Sequence, residues 1–96
     1  MARFKIEVTD KDIENSKTDD YCICPVGIAI KRVAPLKGML MGIVDVHIHE
    51  AGKCLSTFPL PNSAIDFIKN HDEGKFCSPF SFFLEIPDNV LAAYHI

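Results

Sequence analysis

A short run in the middle of the chain, Asp45-Val46-His47-Ile48-His49-Glu50, brings a carboxylate and two imidazoles together at every second position. On a β-strand that period puts Asp45, His47 and His49 on one face, with the two histidines near enough to share a metal ion. Neutral imidazole also changes charge near pH 6.5, so the same face could hold a ligand or partner in a pH-sensitive way. The plainest reading is the wet side of an amphipathic strand, with Val44, Val46 and Ile48 turned inward.

Four cysteines, Cys22, Cys24, Cys54 and Cys77, supply the other potential ligands or nucleophiles. No secretory signal is legible in the alternating stretch Met1 to Thr9, so the thiols are expected to be reduced, in a cytoplasmic setting. Cys22 and Cys24 stand one residue apart before a helix start, where the dipole favours thiolate. Their spacing is not that of a zinc knuckle, and Cys54 and Cys77 are remote from each other in sequence. Convergence of the four in space stays an open alternative; small core thiols are the simpler one. No Gly-x-Ser-x-Gly elbow and no phosphate-cradling glycine loop occur. His71 and His95 read as surface residues.

The elements that must position these groups follow from periodicity. Residues 3–8 alternate, with Phe4, Ile6 and Val8 inward and Arg3, Lys5 and Glu7 outward. Thr9 or Asp10 caps a weak helical turn running to about Lys17. Pro25 opens a helix whose buried stripe is Val26, Ala29, Ile30 and Val33, and Pro35 and Gly38 end it. Residues 43–49 and 53–58 form a hairpin about Ala51-Gly52, and Pro59 and Pro61 place the return strand at an edge. Ser63 and Asp66 look like a capping pair for a second helix that buries Ala64, Ile65, Phe67 and Ile68 and stops at Gly74. Residues 80–86 form the last strand, with Phe80, Phe82, Leu84 and Ile86 inward and Phe83 outward.

That order predicts one α+β domain over residues 1–96. It is the ferredoxin-like split βαβ arrangement, with a four-stranded antiparallel sheet and two main helices on one face. The open face would then present Arg3, Lys5, Asp45, His47, His49 and Phe83 together. This set is the expected ligand- or partner-binding surface, and also a candidate homo-oligomer interface.

With 96 residues, 48% of them hydrophobic, the chain supports one core and no large barrel, which needs about 250 residues. A net charge of −3 gives no basic footprint, so nucleic acid is not an expected partner. Its longest apolar run, Met39 to Val44, is far below the ~20 residues of a membrane span.

Two resemblances complete the reading. Asp45-x-His47-x-His49 resembles the metal-binding strand of amidohydrolases, but over seven residues, and their barrel does not fit this length. Val8-Thr9-x-x-Asp12-Ile13, Cys24-Pro25-Val26 with Ala29, Pro59-Leu60-Pro61, Phe67-Ile68, Gly74 and Pro79-Phe80-Ser81-Phe82 resemble small phage and prophage-associated bacterial proteins of no assigned activity. Gly27 departs from the alanine those proteins often carry after Cys-Pro-Val. The resemblance implies a cytosolic host setting and action by binding. The leading expectation is therefore a small non-enzymatic binding protein, self-associating. It would bind a host protein or sequester a small ligand, a nucleotide among the options, and would have no catalytic residue and no cofactor. The alternative is a metal-binding module or small metal-dependent hydrolase using Asp45, His47 and His49.

Overall fold

In the computed structural model, residues 2–16, 24–42 and 44–96 are described. The elements run β1 (Ala2–Val8), α1 (Asp10–Glu14), α2 (Pro25–Val33), β2 (Met39–Met41), β3 (Asp45–Glu50), β4 (Lys53–Pro59), α3 (Asn62–Asp72), β5 (Phe80–Ile86) and α4 (Asp88–Tyr94). The protein is α+β, and the expected alternation holds in β1, β3 and β5. Ile6, Val8, Val46, Ile48, Phe82, Leu84 and Ile86 are all buried.

The strands form two antiparallel sheets, β1-β5 and β2-β3-β4, in place of the single four-stranded sheet expected from the element order. Two features account for the difference. The apolar run Met39-Leu40-Met41 makes a fifth strand and pairs with β3, Leu40 opposite His47. On the other side, β4 ends in Pro59, followed by Leu60 and Pro61, and proline has no N–H to donate to a ladder. Strand β4 is accordingly an edge, as its prolines suggested. Arg3, Lys5 and Phe83 therefore lie on one sheet, and Asp45, His47 and His49 on the other. The composite open face expected from one sheet is divided.

A single apolar cluster joins the inner faces of both sheets to the helices. It takes Val26, Ala29 and Ile30 from α2, Ala64, Phe67 and Ile68 from α3 and Val90 from α4. Helix α2 packs tightly: a Cβ on Gly27 would stand 2.8 Å from Met41 Cγ. Helix α1 has the capping box expected of Thr9, whose hydroxyl accepts from Asp12 N–H while the Asp12 carboxylate accepts from Thr9 N–H. Helix α3 differs from expectation. It begins at Asn62 with Pro61 at the cap position, and Ser63 and Asp66 make no capping pair. Val44 also departs from its strand's pattern, since it precedes β3 and is 52% exposed. The tail from Val90 onward belongs to α4.

Among the described residues one charged side chain, that of Asp12, is buried within this frame. Arg32 of α2 donates to both of its oxygens at 2.8 Å, and also to the Glu7 carbonyl at 2.8 Å. One guanidinium thus ties α1, α2 and β1 together. Donation from Arg32 outweighs the opposing effect of burial and holds the Asp12 carboxyl down at about 2.

Candidate metal centre

The β3-β4 hairpin builds the site. Ala51 and Gly52 form its turn, with φ of 52° and 79°. Positive values at both positions give the tight two-residue connection that matches strand twist, and Gly52 takes its share without steric cost. This turn sets Glu50 opposite Lys53 and His49 opposite Cys54. A bulge follows: Ile48 pairs with Ser56 and His47 with Thr57, leaving Leu55 unpaired. Cys54 therefore stands on the outward face beside His49, while Phe58 further along the same strand is buried.

Three donors meet there. One ligand atom each from His47, His49 and Cys54 lies within 4.8 Å of the other two, and among the described residues they form the group with metal-binding geometry. The two imidazole centroids are 5.8 Å apart. Cys54 Sγ is 3.6 Å from His47 Nδ1. Zinc bonds of about 2.3 Å to sulfur and about 2.0–2.1 Å to nitrogen, at a tetrahedral angle, place those two atoms about 3.6 Å apart. The same spacing suits a thiol donating to an imidazole nitrogen, so metal and proton compete for one gap.

Asp45 enters from the other side of the ring. Its Oδ1 is 2.5 Å from His47 Nε2, with the two side chains about one-third exposed. A carboxylate only accepts, so Nε2 carries the proton and Nδ1 keeps a free lone pair facing Cys54. The structure thus brings together all three residues singled out in the sequence but gives them unequal roles. His47 and His49 present donor atoms to a common point, and Asp45 holds His47. Cys54 completes the set. Its signal was present in the sequence: a two-residue turn at Ala51-Gly52 puts position 54 opposite position 49.

Several other candidate groups among the described residues are engaged by protein atoms. On the β1-β5 sheet, the Arg3 guanidinium carbon sits 4.3 Å from the centre of the Phe83 ring. Lys5 pairs with Glu7 at 3.5 Å. Arg3, Phe83 and Glu85 line an open groove of about 310 Å³ with Pro59, Leu60 and Pro61. Phe83 is half exposed, but Arg3 covers part of its ring. His71 stacks on Phe67 and contacts Ser16 Oγ at 3.0 Å. The Ser16 hydroxyl donates to the Ile13 carbonyl and so accepts from His71 Nε2–H. Cys24 is buried, and burial raises its pKa against the lowering contacts from the Gly27 and Val26 backbone. Cys24 is thus the small core thiol that was the simpler expectation, with desolvation outweighing the pull of the helix start. Cys22 lies outside the described residues. Cys77 is likewise raised by burial. No helix among the described residues is long and apolar enough to cross a membrane.

Neither protein-family models, nor curated proteins, nor solved structures gave a match to this chain.

Proposed function

We propose that the protein is a metal-binding module that takes one zinc-class divalent cation on the outward face of the β2-β3-β4 sheet. His47, His49 and Cys54 are the ligands. The observation that carries this reading is the convergence of two imidazoles and a thiol within 4.8 Å, with the His47–Cys54 separation at 3.6 Å. Two nitrogens and a sulfur are a borderline-to-soft donor set. It favours zinc, cobalt, nickel or copper over magnesium and calcium, which seek oxygen. Three protein ligands leave one position for water or an exogenous donor, as in exchangeable and catalytic zinc sites rather than closed structural ones. Cys54 is exposed and the histidines are half-buried, so an ion bound there is within reach of an outside ligand.

The donor set supports a binding role, and a groove of about 300 Å³ lined by Lys37, Gly38, His49, Glu50 and Tyr94 leaves room for an exogenous ligand beside it. A partner-binding role through Arg3, Lys5 and Phe83 is the weaker reading, since those side chains are occupied with their own neighbours.

Titration with Co²⁺ and Zn²⁺, using a competing chromophoric chelator, tests the proposal. One ion per chain is expected, with a thiolate-to-cobalt charge-transfer band that is absent in Cys54→Ser. His49→Ala should lose stoichiometric binding and His71→Ala should keep it. Failure of the unmodified protein to bind either ion would end the proposal.

A further inference from the structure

The metal reading leaves a question about specificity within the site: His47 has two ring nitrogens, and an isolated imidazole offers either. Four distances bear on this. Asp45 Oδ1 lies 2.5 Å from Nε2, and Cys54 Sγ lies 3.6 Å from Nδ1. A Cβ added to Gly42 would stand 2.6 Å from Asp45 Oδ1 and 2.9 Å from His47 Nε2. The Asp45–His47 hydrogen bond therefore lies directly against the Gly42 Cα, in space that any other residue would fill. Gly42 itself is fixed, since its N–H donates to the Asp45 carbonyl at 2.8 Å.

We propose that Asp45 and Gly42 are positioning residues for the metal centre: Asp45 accepts from Nε2–H and commits Nδ1 of His47 to the ion, and Gly42 leaves the room in which that bond forms. This inference rests on the metal reading and refines it, because it removes Asp45 from the set of direct ligands. A carboxylate on the far nitrogen fixes the tautomer, stops ring rotation and raises the basicity of the ligating nitrogen. Asn at position 45 keeps an acceptor but not the charge. Ala keeps neither. At position 42, a methyl group meets the far ends of two side chains as well as the Asp45 carbonyl, 3.0 Å away. The pair gives way more readily than the backbone, so the expected damage falls on the site more than on the fold.

Cobalt binding to the whole chain, read by absorption and by competition, tests this in Asp45→Ala, Asp45→Asn and Gly42→Ala, with Asp66→Asn as a remote control. Loss of the positioning bond should weaken affinity by about 10- to 100-fold in Asp45→Ala. Asp45→Asn should fall between Ala and the unmodified protein, and Gly42→Ala should weaken binding in the same direction. Ligand-field band positions should stay unchanged in all three, since the donor set is intact. Circular dichroism of the metal-free variants separates these effects from misfolding. If Asp45→Ala binds cobalt as tightly as the unmodified protein, the positioning role is wrong. If its ligand-field bands shift, the donor set has changed, Asp45 is a direct ligand and the inference is again overturned. Absence of binding in the unmodified protein would instead remove the metal reading itself.

Discussion

Asp12 and Asp45 each hold a basic side chain, yet the two pairs do different things. Asp12 meets Arg32 with both oxygens, under cover of α1 and α2, and the remaining reach of Arg32 ends on the Glu7 carbonyl. Both carboxylate oxygens and three of the guanidinium N–H bonds find protein partners there. Asp45 instead meets a ring with a second nitrogen on its far side, and that nitrogen faces a thiol on the outer face of a sheet. Arginine cannot pass the interaction on, because it has donors alone; histidine can, because fixing one nitrogen defines the other. A closed pair fastens elements together, whereas an open one prepares a donor for something outside the chain.

The contrast breaks most visibly with metal. At a free ion concentration 100 times the dissociation constant, binding to the folded state alone adds about 2.7 kcal/mol of stability. Zinc should therefore raise the melting temperature of the unmodified protein and leave Cys54→Ser unmoved, as thermal denaturation would record. Nearly as large, and independent of metal, is the clamp. Arg32→Ala leaves a buried carboxylate without its bidentate partner, and about 2–3 kcal/mol of stability should be lost in chemical denaturation. Metal affinity of that variant should be unchanged, because the two pairs share no residue.

Acid offers a gentler test of the same clamp. The Asp12 carboxyl sits at about 2 in the folded chain against an ordinary 3.8. The folded state therefore releases this proton more readily than the unfolded one. The resulting stabilisation is full above the unfolded value and is lost as pH falls from about 4 towards 2. It amounts to about 2 kcal/mol, and Asp12→Asn should flatten that segment of the stability profile. Smallest of all is the surface pair on the β1-β5 sheet. Arg3→Ala should cost under about 1 kcal/mol, as expected for an exposed cation over an aromatic face. A loss well above that would mean the Arg3–Phe83 surface has a structural role comparable to the clamp.

Much of this was legible in the sequence, and the parts that were not share a cause. Strict alternation identified β1, β3 and β5 and, Val44 excepted, the residues each turns inward, because period two is a local property. The outward placement of Asp45, His47 and His49 came from the same rule. Sheet membership did not follow, since it depends on which edges meet: β2 was hidden inside an apolar run, and Pro59 and Pro61 closed β4 to a further neighbour. Cys54 was named as a potential ligand but not placed beside His49, because its partner is set by register across a turn rather than by spacing along a strand. Gly42 gave no signal at all, for its importance lies in the atoms that pass over it. Cys24 was legible as a small core thiol beneath the helix start, and it is buried there.

Leu55, the unpaired residue of the bulge, has a consequence for how this hairpin tolerates change. Positions 54 and 58 have the same parity, so a regular strand would turn Cys54 and Phe58 to the same side. The extra residue lets one chain segment serve two opposed masters, a thiol for the surface and a ring for the interior. Point substitutions along β4 can be absorbed one side chain at a time. A single-codon deletion there cannot: it forces either the sulfur inward or the phenyl group into water. Length, more than composition, is what this strand's descendants would have to conserve.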